Sequence, residues 1–212
     1  MTTTTQAEGP RGAVRGGVRG GAGTRDRIVD AGAVLFSHHG YAGTGLKAIL
    51  AASDAPFGSL YHFFPGGKEE LGAVALEASG ATYRELVEAF YPPGVDVVEA
   101  TRHFFAGGAE MLRSTDFADA CPIATVALEV ASTSEPMRVA AASAFESWLA
   151  VLELRLVEAG VSAPIARDIA IELFCAVEGA FLHCRTTRTT EALEVTGRAV
   201  VARIAAALAQ HP

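Results

Sequence analysis

From Thr24 onward the apolar residues of this chain recur three and four positions apart, and no stretch alternates apolar with polar residues. That period lines side chains along one face of a helix, so the fold expected is all-α. Glycine and proline punctuate the pattern. A first helix carries Ile28, Ala31, Leu35 and Phe36 on one face and stops at Gly40, with Thr24 expected as its cap and Asp26 and Asp30 suited to its positive end. Thr44 is expected to cap a short second helix that buries Leu46, Ile49 and Leu50, and Ser53, Asp54 and Ala55 make a turn. A third helix starts about Pro56, where a missing N–H does no harm, and ends at Phe63 or Phe64. Leu60, Phe63 and Phe64 share its inner face, which leaves Phe57, Ser59, Tyr61 and His62 on its other surfaces. After Pro65, Gly66 and Gly67 a long helix runs from Lys68 to about Tyr91, where Pro92 and Pro93 end it. Further helical stretches are expected near 95–113, 122–132, 136–159, 163–185 and 190–209.

Charge divides along the chain. The whole sequence of 212 residues is net −7, yet residues 1–68 hold seven Lys and Arg against four Asp and Glu, and the remainder holds ten against twenty. A small basic end on an acidic body suits a nucleic-acid-reading head. Residues 1–23, rich in Thr and Gly, read as a flexible arm; Arg11, Arg15 and Arg19 would let it enter a minor groove, although a plain solvated tail is the commoner outcome. Arg167, Asp168, Glu172 and Glu178 interrupt the most apolar late stretch, so no uncharged run reaches the roughly 18 residues of a membrane span. The start of the chain lacks a signal-peptide apolar region, and three cysteines without C-x-x-C spacing suggest no disulfide framework. A cytoplasmic protein without membrane contact is expected.

Three short helices over 24–67, the latter two joined by a tight turn, make a tri-helical head whose last helix can enter a major groove, with a larger helical body over 68–212. The stretch Phe36 to Leu71, FSHHGYAGTGLKAILAASDAPFGSLYHFFPGGKEEL, closely resembles the DNA-binding region of the TetR family of transcriptional regulators. Its hallmarks here are Phe36, Gly40-Tyr41, Thr44, Ile49, Gly58, Leu60-Tyr61, Phe64 and Lys68-Glu69. GSLYHFFPGGKEEL, together with Cys121-Pro122 followed by ALEVA, resembles the branch that holds lincomycin- and flavonoid-responsive repressors, and the likeness then covers residues 24 to about 185.

The resemblance implies a repressor released from its operator by a small apolar or aromatic effector, with Gly45 to Phe64 as the helix-turn-helix. It places Thr44, Gly45 and Lys47 at the DNA backbone, Tyr61 and His62 at phosphates or base edges, and Lys68 on a phosphate. Pro56, Phe57, Gly58 and Ser59 open the reading helix. Hydroxyls, amines and helix starts anchor phosphates, whereas groove contacts specify sequence. Phe57 departs from the family's pattern, in which a polar or basic residue is common; its ring could meet a thymine methyl or leave that contact unused. Packing of Tyr61 and His62 against the neighbouring long helix is the competing reading.

No enzyme chemistry stands out. His183 and Cys184 are adjacent and cannot face one site on a helix, Cys175 and His183 are about 12 Å apart in helical rise, and His103 and Cys121 add no paired ligand spacing. G-x-S-x-G, Gly-rich phosphate loops and H-E-x-x-H are absent from the sequence, so no catalytic set, metal or cofactor is expected. Phe104, Phe105, Phe145, Trp148 and Phe174 are ordinary core candidates that the resemblance recasts as an effector cavity, with Cys121 and Glu178 beside them. Glu129 and Glu178 sit in apolar runs and need a partner, which could be a ligand, an Arg or an opposing subunit. Phe174, Val177, Phe181, Leu193, Val200, Val201, Ile204 and Leu208 offer apolar surface for a homodimer through the last two helices, or else complete the core of one chain. A symmetric dimer would bind a pseudo-palindromic double-stranded DNA operator. The alternative is an interaction module on the same scaffold without operator binding.

Overall fold

The computed structural model describes residues 23–119 and 121–210, so the arm expected over 1–23 lies outside the described residues except for Gly23. Nine helices and no strand occur among the described residues: α1 (Thr24–Gly43), α2 (Leu46–Ala52), α3 (Phe57–Phe63), α4 (Gly67–Phe90), α5 (Val97–Ser114), α6 (Pro122–Val130), α7 (Glu135–Glu158), α8 (Ala163–Thr187) and α9 (Glu191–Ala209). Side chains cap three of them. Asp96 accepts from the Val98 and Glu99 N–H groups, the Cys121 sulfur from Ala124, and the Ser134 hydroxyl from Met137. Thr24 and Thr44 are corrections, because Gly23 and Gly45 occupy the cap positions of α1 and α2 without a side-chain bond. Thr24 is already inside the first turn.

Gly40 does not end α1 but breaks it, with φ 72° and ψ 170°, after which one more turn runs to Gly43. Only glycine adopts that conformation readily. Thr44 follows, buried, and its hydroxyl donates to Gly40 O at 2.7 Å and Leu35 O at 3.1 Å. Between α2 and α3, Asp54 turns left-handed at φ 49° and Ala55 N–H donates back to Leu50 O at 3.1 Å. Ile28, Val29, Phe36, Ile49, Leu50, Leu60 and Phe64 are the buried apolar residues that α1, α2, α3 and the segment after them contribute to the core.

In the body, α4 packs chiefly on α7, and small residues set the approach. A Cβ added at Gly80 would come within 2.6 Å of Ala144 Cβ, and Trp148 Nε1 donates across the same crossing to Gly80 O at 2.8 Å. At the far end of α4 the Tyr91 hydroxyl meets Thr101 Oγ1 at 3.0 Å, while Arg155 Nε donates to Tyr91 O at 2.9 Å. Helices α8 and α9 pack together, and α9 also lies on α5, where Gly197 faces Phe105, while Gly108 of α5 faces Phe181 of α8.

That packing corrects the expected dimer surface. Leu193, Val200, Val201 and Ile204 are buried within the single chain, and Phe181 and Leu208 are partly buried against the same core. The large apolar stripe of α9 completes its own body. Exposed instead on α8 and α9 are Ile171, Leu182 and Val195, the second of them 66 % exposed, beside the small residues Gly179, Ala199, Ala202 and Ala206. Among the described residues no helix is long and apolar enough to cross a membrane.

The α4–α7 crossing yields a test. Gly80→Ala gains up to about 1 kcal/mol in helix propensity but overpacks Ala144, at about 1–3 kcal/mol, so a net loss of about 1 kcal/mol is expected. Urea unfolding followed by Trp148 fluorescence measures it, and an increase in stability would show that the two helices separate freely.

Candidate nucleic-acid interface and effector site

A seven-residue helix holds an outward surface only if its inner side is anchored. Leu60 and, just past the C-terminus of α3, Phe64 supply the anchor, both essentially without solvent contact. Phe57 is then 60 % exposed and Tyr61 53 % exposed, with Gly58 and His62 also exposed and Ser59 partly so. Pro56 stands just ahead as an exposed N-cap. Tyr61 also leans toward the start of α4, its Cε1 3.6 Å from where a Cβ on Gly67 would stand, so solvent exposure and helix packing coexist in one residue. His62 lies edge-on to Phe63 with ring centroids 4.8 Å apart. Gly45, the N-cap of α2, and Lys47 on that helix are exposed, and Lys47 and Phe57 line an open cleft between α2 and α3.

Thr44 and Lys68 are placed differently from expectation. Thr44 has its hydroxyl turned inward on two carbonyls, so it shapes the end of α1 and offers no group to a phosphate. Lys68 is partly buried: Nζ donates to Tyr41 O at 2.6 Å and lies 4.3 Å from the centre of the Tyr41 ring. Burial lowers the Lys68 pKa, against an opposing pull from the Glu129 carboxylate. Burial likewise raises Tyr41, with Glu69 adding to it.

Glu129 of α6 closes the same junction. Its two oxygens accept from Tyr41 N–H at 2.9 Å and Ala42 N–H at 2.8 Å, groups left without helical partners by the break at Gly40. A side chain at Gly40 would collide with that carboxylate. The sequence marked Glu129 as a carboxylate in an apolar run but suggested a ligand, an Arg or a second subunit as its partner. Backbone N–H groups of α1 hold it instead.

The aromatic residues expected to form one cavity fall into two sets of ring contacts. Phe104 joins Phe90, Tyr91 and Phe105 at the α4–α5 corner, with centroid separations of 5.3, 5.9 and 6.3 Å. Phe145, Trp148 and Phe174 form the other set, to which α4 adds Tyr83, 5.8 Å from Trp148. Sequence reading missed Tyr83, although its place on the long helix was legible. At the edge of this second set the Cys121 thiol, which accepts from Ala124 N–H at 3.4 Å, lies within electrostatic reach of the Glu178 carboxyl. Burial pushes Cys121 well up, with the Glu178 charge adding to it; burial also raises Glu178, which the Cys121 thiol partly offsets. Tyr83 is raised by burial first and then by Cys121, Asp119 and Glu178. Burial thus favours the uncharged forms at this end of an aromatic wall between α4, α7 and α8.

Comparison with known proteins matches residues 28–73 to the family model "Bacterial regulatory proteins, tetR family" and residues 97–199 to "Transcriptional regulator LmrA/YxaF-like, C-terminal domain". The HTH-type transcriptional regulator YxaF of Bacillus subtilis is 34 % identical over 165 residues, covering 78 % of this chain and 86 % of that protein. LmrA, another HTH-type transcriptional regulator of Bacillus subtilis, is 31 % identical over 170 residues, covering 80 % and 90 %. The crystal structure of regulatory protein TetR from Rhodobacter sphaeroides shares the fold at TM-score 0.75 and 22 % identity, covering 85 % of this chain and 98 % of its own.

The Glu178 environment predicts a pH dependence. An exposed glutamate ionises near 4.5, so above that pH the unfolded chain gives up this proton before the folded one does, and native stability falls until Glu178 ionises in place. Glu178→Gln has no such proton to lose. Its melting temperature relative to wild type should rise from pH 4.5 upward and then level off. A difference constant with pH would mean that Glu178 is well solvated.

Proposed function

The chain belongs to the TetR family of bacterial regulatory proteins, and from that premise we propose that it is a homodimeric transcriptional repressor that grips operator DNA through α3 and releases it when a small apolar or aromatic effector enters the body. One observation carries the reading. The outer side of α3 presents Phe57, Tyr61 and His62 to solvent on a firmly anchored backbone, at the basic end of an acidic chain. Lys47 supports it with an exposed ammonium beside that surface.

A two-fold pair places two such helices about 34 Å apart or at a multiple of it, so the operator is pseudo-palindromic. Ile171 and Leu182 of α8 and Val195, Ala199 and Ala202 of α9 are the exposed apolar and small residues from which two copies make a four-helix interface. Seated across the duplex, the dimer covers DNA that polymerase needs, which lowers transcription. The effector sits against Tyr83, Phe145, Trp148 and Phe174, with Cys121 and Glu178 at its polar end. Wedging there tilts α4 and shifts α6, and both reach α1 at the Gly40 break through Lys68 and Glu129. Linkage limits the release to about 1–3 kcal/mol, or about 5- to 150-fold in operator affinity. The exposed Phe57 also suits an interaction module that binds another protein and no DNA.

A gel-shift with the DNA upstream of the chain's own coding region separates the two readings, since a shift that no competitor sequence abolishes equally supports the repressor. Affinity should fall steeply with salt through release of phosphate counterions. Lys47→Ala should weaken all sequences alike and lower the salt slope by about one. Lys68→Ala should lower the melting temperature, because it leaves the Tyr41 carbonyl with only the weaker Thr44 N–H bond at 3.3 Å. A flat salt response would remove phosphate anchoring from the proposal. Leu182→Glu should yield a folded monomer in sedimentation equilibrium at micromolar concentration, and an intact dimer would place the interface elsewhere.

A further inference from the structure

Phe57 is the first residue of α3, and its ring stands on the rim of an open cleft of about 250 Å³ between α2 and α3. Lys47 and Asp54 border that cleft, so a large apolar side chain 60 % exposed to water is set among charges and small residues. Its position is fixed rather than loose. Pro56 precedes it in extended conformation, Leu60 is buried one turn on, and neither Gly58 nor Gly45 has an atom within 4 Å of where a Cβ would stand. Among the described residues, the space beside those two glycines is open.

Resting on the reading of α3 as a DNA-reading helix, we propose that Phe57 is a specificity-determining residue whose ring seats on the C5-methyl group of a thymine in each operator half-site. A phenyl ring carries no hydrogen-bond donor or acceptor and cannot read a base edge in the usual way. In the major groove the one apolar group that a base offers is the thymine methyl, so the ring recognises thymine by contact. It also rejects cytosine, because seating a phenyl ring over the N4 amino group strips water from a donor and gives it no acceptor. Removing one buried methyl corresponds to about fourfold in affinity, the equivalent of about 0.8 kcal/mol. The contact is uncharged and leaves the number of displaced counterions unchanged.

The test uses duplexes selected from a random pool by the full-length protein, in which each thymine is then replaced singly by uracil, which deletes the methyl and keeps the pairing edge. Wild type should lose about fourfold at one thymine per half-site and about sixteenfold when both half-sites are changed. Phe57→Ala should bind the thymine and uracil duplexes equally, with the salt slope of wild type. Uracil without effect at every position overturns the inference, and so does a loss that Phe57→Ala retains, which would assign the methyl to another side chain. If Phe57→Ala changes the oligomeric state instead, the ring belongs to a protein contact. Failure of the pool to enrich any sequence defeats the operator reading itself, and this inference with it.

Discussion

A helix broken by glycine leaves N–H and C=O groups that its own turns no longer satisfy, and here the break at Gly40 is met from two other helices. Glu129 of α6 takes the N–H groups of Tyr41 and Ala42, and Lys68 at the start of α4 donates to the Tyr41 carbonyl. All three bonds are charge-assisted, the stronger kind of hydrogen bond, and Thr44 adds a neutral one by donating to Gly40 O. Remove Glu129 and two backbone N–H groups lose this partner; remove Lys68 and the Tyr41 carbonyl keeps only the Thr44 N–H. The orientation of α1 to α3 relative to the rest of the chain therefore depends on where α4 and α6 stand, which makes the junction the natural route by which a change in the body reaches α3.

Close approach does for the body what those bonds do for the junction. Gly80 lets α4 reach Ala144, and Trp148 then ties its indole N–H to the Gly80 carbonyl while its ring joins Tyr83, Phe145 and Phe174. A residue that anchors the long helix is thus also part of the aromatic wall. In the proposed function, a molecule that displaces Trp148 from these rings acts on α4 without intermediate steps, and the buried Glu178 carboxyl and Cys121 thiol offer hydrogen bonds to its polar end.

Charge and packing also divide the surfaces by role. The outer side of α3 is small, aromatic and weakly basic, with Lys47 free beside it, whereas the long helices carry most of the acidic residues. An acidic body is repelled by duplex DNA, which favours contact by the basic end alone. On α9 Leu193, Val200, Val201 and Ile204 point into the chain, and Ala199, Ala202 and Ala206 lie exposed with Val195, so a partner helix could approach closely without a deep hydrophobic socket.

Helix positions were legible in the sequence to within a few residues, since the apolar period and the Gly and Pro signals that produce them are local. The family was legible for a similar reason: Gly40-Tyr41, Gly58, Leu60-Tyr61 and Lys68-Glu69 lie within one short stretch, where their spacing survives without knowledge of the fold. Which atoms meet across the chain was not local. Thr44 reads as a cap until the break at Gly40 turns its hydroxyl inward, Lys68 reads as a free cation until Tyr41 folds beneath it, and Glu129 finds its partners 87 and 88 residues away. The same holds for α9, where an apolar stripe establishes that a face is buried but not against what. Only packing on α5 and α8 decided that Leu193, Val200 and Ile204 complete their own chain, because burial depends on what the rest of the molecule brings alongside.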